Sequence, residues 1–452
     1  MEYKFSIYNY YTQNYKGDYL LYNSYTGTES FLKIPKEDPY HVHMCIEGTE
    51  NINLLPQNIF ETLRKRGFIV PESDNEAQKL QLLYFSKIND GNLHITILPT
   101  EQCNFRCKYC YESFSDGIMS DEVQNRLILY VQKSISKYNS MSVSWFGGEP
   151  LLAFSVIKNL SNAFLDICRK HRKSYTASIT TNGYMLTYDM LRELKKVHIT
   201  QYQITIDGLS KTHDVQKPLA NGKGTFDTII KNLEEIRDKE KSPLLSFTIR
   251  TNISKDVLID INEYIKYFSE KFGNDKRFSY FMRPVMDLGG ERVNEFRKNM
   301  LENDALENIY QILVNHPHTK FPFVYHRFLN PSDGVCYASR LNSYVINPKG
   351  NILKCTCHLE HPANQIGQID ENGYLDINES MFSAWLPRYG CNNYECFFAP
   401  VCLMEGCPAI RVISNESVPS CPHEKNNLST VLQIIDAQNE LFEELEVSGN
   451  AT

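Results

Sequence analysis

The chain has 452 residues, room for about three domains of ordinary size. Apolar residues make up 42% and charged residues 22%, and 47 Lys plus Arg against 54 Asp plus Glu leave a formal charge of −7. So acidic a balance lacks the basic footprint of a general nucleic-acid binder, and no apolar run approaches the ~18 residues of a membrane span, so neither nucleic acid nor membrane is an expected partner.

The opening MEYKFSIYNYYTQNYKGDY is polar and tyrosine-rich, without the basic and then apolar pattern of a secretory signal, so a cytoplasmic location is expected. Residues 1–88 read as a small α+β, winged-helix-like module. YLLYNSYTG and TESFLKI form a hairpin around a Gly-Thr turn, and LPQNIFETLRKRGFIV places Ile59, Phe60, Leu63 and Phe68 close to helical spacing with a glycine stop. PESDNEAQKL then reads as a charged linker. Over 89–290 six apolar strand candidates (NLHITIL, SVSWFGG, TASITTNG, QYQITIDG, LSFTIRTN and FSYFMRP) alternate with helix-period stretches, several opening on Ser or Thr with N-cap chemistry. That alternation argues for βα units on a parallel sheet, and six units, too few for an eight-fold barrel, fit either a partial (β/α)6 barrel or an open sheet in an α/β fold. A helical bridge follows over 291–335, then a cysteine-rich, loop-rich domain over 336–425 expected to be held by metal more than by an apolar core, and a closing helix over 426–452.

Of the 13 cysteines only Cys45 and Cys168 stand alone, and these read as buried apolar residues. Clustered thiols in a cytosolic chain point to metal. Cys103, Cys107 and Cys110 form C-x3-C-x2-C directly after the first strand of the α/β region. Three thiolates so close can hold one 4Fe–4S cluster yet leave its fourth iron open for an exogenous ligand. A zinc site completed by a distant side chain, or a redox cysteine pair, are the competing readings.

CNFRCKYCYE resembles the signature of radical S-adenosylmethionine (SAM) enzymes, including the aromatic Tyr109 before the last cysteine. SWFGGEPLL resembles that family's Gly-Gly-Glu-Pro element, which implies that Gly147, Gly148 and Glu149 meet the SAM amino group. Glycine there also lets the backbone approach a ligand closely. ITTNGYML, QITIDGLSKTHD and FTIRTNISKD resemble later strand ends of the family, which places Thr181, Asn182, Asp207, Arg250 and Asn252 around SAM. Lys217 stands where the family pattern suggests Arg. The resemblance implies that the reduced cluster donates one electron to SAM and that the resulting 5′-deoxyadenosyl radical abstracts a hydrogen atom, with an external one-electron reductant of flavodoxin or ferredoxin type as a partner.

Cys336, Cys355, Cys391, Cys396, Cys402, Cys407 and Cys421 resemble the SPASM extension of radical SAM enzymes that act on peptides, although some spacings are x4 where x2 and x3 are usual. By that resemblance Cys391, Cys396, Cys402 and Cys421 close one auxiliary 4Fe–4S cluster, and Cys336, Cys355 and Cys407 hold another. Cys357, in Cys-Thr-Cys, is read as the fourth ligand of the latter, with a spare thiol or an open site for a substrate thiolate as alternatives. The expected cofactors are thus three 4Fe–4S clusters and SAM. The N-terminal unit resembles the leader-recognition module of peptide maturases, so the expected substrate is a ribosomally made precursor peptide with a leader, and the expected product a thioether or carbon–carbon cross-link. A sulfatase-type maturase, a peptide epimerase and a zinc-stabilised adaptor are the alternatives. No general base or other catalytic residue is assigned.

Overall fold

Six strands with one consistent alternation build the centre of the molecule: β6 (Asn92–Ile97), β7 (Ser140–Trp145), β8 (Ser174–Thr181), β9 (Ile199–Thr205), β10 (Ser246–Ile253) and β11 (Phe278–Pro284). They pair in parallel and in sequence order, each return being made by a helix. Because side chains alternate across a strand, one set (Ile95, Val143, Trp145, Ile179, Ile204, Ile249) is buried under the helices. The other set is polar and faces the barrel interior, where side chains bond across strands: His94 to Ser144 (3.1 Å), Ser144 to Ser178 (3.1 Å) and Thr248 to Ser279 (3.2 Å). The computed structural model describes residues 2–38, 40–48, 51–302, 305–314, 328–387, 391, 393–414 and 421–449.

Three of the helices start on the caps their sequences predict. Ser120 accepts from the Val123 amide (3.3 Å), Thr187 from Met190 (3.2 Å) and Ser254 from Val257 (3.4 Å). Pro150–Lys170 is long and apolar enough to cross a membrane, which corrects the expectation that no such stretch exists, but about half of it (44%) is buried in the fold. Val156, Ile157, Leu160 and Phe164 are its core face against the sheet.

The N-terminal hairpin forms as β3 (Tyr19–Asn23) and β4 (Gly27–Ile34), joined by β2 (Asn9–Gln13), a strand its weak alternation did not reveal. β1 (Tyr3–Phe5) pairs with β5 (Ile69–Pro71). Alternation along β3 assigns its two faces: Leu21 joins a local core with Val42, Cys45, Leu63 and Phe68, whereas Leu20 and Tyr22 join the main core. The stretch read as a linker starts the helix Glu76–Ile88, capped by Asn75 and tied down by the buried Glu76, whose carboxylate takes the Ser6 hydroxyl and the Ile7 amide (3.2 Å).

The cysteine-rich region also contains more regular structure than its loops and prolines suggest. β12 (Ser343–Ile346) pairs in parallel with β6, and β13 (Asn351–Leu353), β14 (Gln365–Ile369) and β15 (Leu375–Ile377) continue antiparallel, giving one ten-stranded sheet. Ile352, Ile366 and Trp385 are fully buried there, so an apolar core does contribute. Of the bridge expected over 291–335, Glu291–Phe296 and Ala305–Val314 are helical, and 315–327 lie outside the described residues. The C-terminal helix (Leu428–Gly449) buries Leu428, Val431 and Leu432 in the main core. Its Asp436 accepts from Asn14 (2.8 Å) and pairs with Lys33 (3.3 Å), clasping the N-terminal sheet.

Candidate active site

The loop after β6 carries Cys103, Cys107 and Cys110 across the C-terminal mouth of the barrel, the edge where such folds place chemistry. Its course is fixed by backbone hydrogen bonds from Arg106 to Pro218 and Lys108 to Gln216 (2.9 Å each), and by Phe105, which is buried as an anchor. Gly147 and Gly148 press against the start of the same loop. A Cβ on Gly148 would lie 2.3 Å from the Gln102 carbonyl oxygen, and one on Gly147 2.6 Å from that of Thr100, where Gly147 also adopts φ +98°. These glycines are therefore demanded by close backbone packing under the first cysteine, a cause additional to the ligand approach expected from sequence.

The three thiols line a cavity of about 250 Å³. Tyr109, Gly147, Gly148, Thr181, Asn182, Arg250 and Asn252 share its wall. Glu149 and Asp207 do not reach the cavity and act through neighbours. The fully buried Glu149 carboxylate accepts from the Thr181 hydroxyl (2.8 Å) and from the amides of Asn182 (2.8 Å) and Leu151 (3.0 Å). Burial pushes its pKa up and those three donors oppose the shift. Asp207, equally buried, takes the Tyr109 hydroxyl and the Asn252 amide (2.8 Å). Tyr109 in turn accepts from Asn252 Nδ2 (3.0 Å) and Lys217 Nζ (3.3 Å), while Arg250 Nε donates to Asn252 Oδ1 (3.1 Å).

Several wall residues escaped the sequence reading. Lys217 was noticed only as a departure, yet its ammonium reaches the cavity beside Cys107 and Tyr109. Thr180, Gln203 and Thr205 also line it, and strict alternation along β9 was the available signal for the last two. Glu112, two residues past the last cysteine, turns inward. Burial, with Glu101 and Glu149 nearby, pushes it up to about 8, and its Oε2 has no hydrogen-bond partner.

Cys357 lines the same cavity and also a neighbouring one formed with His358, His361 and Glu101. Its pKa is lowered to about 7 by the Cys355 thiol and the Arg250 charge, and that of Cys355 is raised in exchange. Cys336 lies within electrostatic range of Cys357 and Cys407, and burial pushes it up to about 12. Cys391, Cys396, Cys402 and Cys421 line one further small cavity with Lys425, whose Nζ is 3.5 Å from Cys421 Sγ. Cys45 and Cys168 are buried among apolar residues and line none of these cavities.

The donor set fits a 4Fe–4S group at the first site: three soft thiols on one wall, an orphaned buried carboxylate oxygen and no fourth cysteine among the described lining residues except Cys357. Burial holds Cys103 and Cys110 up at about 12, so loading a cluster must release protons. Among the described residues no three Cys, His, Asp or Glu side chains converge on a point that one ion could fill, as a mononuclear zinc site requires.

The sequence model of the Radical SAM superfamily matches residues 97–267, the barrel from the end of β6 to the helix after β10. Over that segment the chain is similar to the radical SAM superfamily. The likeness indicates an enzyme, with a SAM-binding 4Fe–4S cluster implied. The chain is 26% identical over 272 residues to an uncharacterized protein of Methanocaldococcus jannaschii, covering 59% of this chain and 85% of that one. It is 25% identical over 291 residues to the radical SAM cyclopropyl synthase TigE of Paramaledivibacter caminithermalis, covering 60% and 57%. In structure it is similar to anSMEcpe solved with bound AdoMet and a Cp18Cys peptide, with a TM-score of 0.54 at 18% identity over 80% of this chain and all (100%) of that one. That likeness extends the radical SAM fold beyond the matched segment.

Proposed function

We propose that this radical SAM enzyme is a peptide maturase that forms a thioether or carbon–carbon cross-link in a ribosomally made precursor. The observation that carries the reading is a three-thiol cavity at the barrel mouth onto which Cys357 also opens, together with a second cavity lined by Cys391, Cys396, Cys402 and Cys421. When bound, the cluster and SAM supply a 5′-deoxyadenosyl radical. The chain positions them. Cys103, Cys107 and Cys110 hold the cluster, and Gly147 and Gly148 fix the loop that carries it. Thr181, Asn182, Asn252 and Tyr109 present polar groups to SAM, and Arg250 and Lys217 supply positive charge to its carboxylate. Phe146, Val285, Met286 and Leu288 give the cavity an apolar side that keeps water from a reactive intermediate.

Two auxiliary 4Fe–4S clusters follow from the remaining thiols: one on Cys391, Cys396, Cys402 and Cys421, the other on Cys336, Cys355 and Cys407 with Cys357 as fourth ligand. They would take up the electron that a net oxidation releases. The N-terminal module would capture the precursor's leader as a strand added to the edge of its sheet. A flavodoxin- or ferredoxin-type reductant and a cytoplasmic setting complete the reading.

The test is anaerobic reconstitution, then incubation with SAM, reductant and the peptide encoded by a short reading frame beside the gene. About twelve irons per chain, 5′-deoxyadenosine, and a peptide lighter by two hydrogen atoms with new cross-linked fragments support the proposal. Cys103→Ala should remove about four irons and all SAM cleavage. Product of unchanged mass but altered stereochemistry would replace cross-linking with epimerisation, and zinc in place of iron would overturn the reading.

A further inference from the structure

On the outer side of the cluster loop lies a second cleft that shares a wall with the cavity. Cys107 lines both, so at this point one residue separates the thiol set from the surface. The rest of the cleft is assembled from separate segments: the loop itself, Val215 and Gln216, the start of the helix Lys255–Ile259, and the stretch after β11. Five of its side chains are cationic, Arg106, Lys108, Lys255, Arg292 and Lys298, against two carboxylates. One of those, Asp256, is already engaged by Asn299 Nδ2 (2.7 Å). Lys108, Lys255 and Lys298 are exposed and form no ion pair among the described residues. Arg106 and Arg292 both lie on the ring of Phe114, a wall residue of the first cavity, 4.8 and 4.5 Å from its centre, so the remaining charge of the cleft rests on the three lysines. Val215, 52% exposed, puts an apolar spot among the charges.

A concentration of positive charge on a chain whose net charge is −7 is an orienting device: an acidic partner is repelled elsewhere and steered here. We propose that this cleft docks the reduced, acidic one-electron carrier protein, of ferredoxin or flavodoxin class, that charges the cluster held by Cys103, Cys107 and Cys110. The inference rests on the proposed function. In the step, the carrier's iron–sulfur or flavin centre loses one electron and the 4Fe–4S cluster gains it. No bond forms or breaks, and no proton is required. Docking on this side leaves the barrel mouth free for SAM and peptide, so reduction and substrate binding need not compete.

The experiment uses the reconstituted full chain and follows bleaching of the cluster absorbance in an anaerobic stopped-flow instrument, with a reduced acidic ferredoxin or with dithionite. The doubly reversed variant Lys255→Glu/Lys298→Glu should slow reduction by ferredoxin by about tenfold or more and flatten its dependence on salt. Iron content and the dithionite rate should stay at wild-type values. The milder Lys298→Gln, at an exposed position, should fall between the two and guards against misfolding of the double variant. Equal ferredoxin rates for wild type and variants, at equal iron content, overturn the docking site while leaving the enzyme reading intact. A wild-type protein that takes up no iron overturns the enzyme reading itself. If a short DNA duplex binds the patch but ferredoxin reduction ignores the reversals, the surface serves nucleic acid and the proposal is wrong.

Discussion

Glu149 shows how a motif residue can serve a site without touching it. Its carboxylate satisfies a hydroxyl and two amides and so fixes the turn at Thr181 and Asn182, two residues of the cavity wall. Glu149→Gln keeps the shape but turns an NH2 toward a buried amide donor. The expected cost is about 1–3 kcal/mol, the penalty for an unsatisfied buried group. Thermal unfolding of the metal-free protein should show the loss, and SAM affinity of the loaded protein should fall with it. An unchanged midpoint would mean that the turn is held by its backbone alone. At this scale the sequence was legible wherever a motif fixed both residue type and strand position, as for the three cysteines, Thr181, Asn182 and Asn252. It was not legible for Glu149 and Asp207. A motif names a residue but not the direction of its side chain, which depends on whether a neighbour's donors or the cavity claims the carboxylate. Lys217 and Glu112 belong to no alternating pattern, and only the folded loop turns them inward.

Strand alternation made the six barrel strands readable, because half-buried parallel strands keep period two over five or more residues. β12 through β15 were missed for the opposite reason. They are three to five residues long, interrupted by the cysteines and by Gly350, and too short for a period to emerge. At the seam between these two groups sits His94, on β6 opposite Ser343 of β12, bonded to Ser343 Oγ (3.0 Å) and Ser144 Oγ (3.1 Å). Burial, with Arg340 and Lys354 nearby, lowers its pKa to about 4, partly offset by Asp90. The native imidazole thus stays neutral while the unfolded one protonates near pH 6.5. His94 stabilises the fold fully above that pH, and its contribution is lost as pH falls toward 4, by up to about 3 kcal/mol. Denaturant midpoints of the metal-free protein between pH 7 and 4.5 should therefore decline, and His94→Gln should flatten the decline. A variant with the wild-type slope would assign the acid sensitivity elsewhere.

For the molecule as a whole, the C-terminal helix is the clasp that joins its first and last elements. Leu432 is fully buried in the main core, while Asp436 one turn on holds Asn14 and Lys33. Leu432→Ala should cost about 2–5 kcal/mol through the cavity it leaves, and limited proteolysis should then release the N-terminal sheet first. Cleavage that begins in the barrel instead would show that the clasp is dispensable. The pairing of β6 with β12 has a different consequence, one that concerns the order in which the chain is made. The strand that presents the first cysteines leaves the ribosome early, but its second neighbour, at Ser343–Ile346, comes much later. Until then Leu93, Ile95 and Ile97 belong to a strand with one bare edge, open to pairing with another nascent chain. Ribosomes that stall or terminate before β12 should therefore yield aggregates that hold no iron, so the supply of active enzyme is set by how reliably translation reaches Ser343–Ile346.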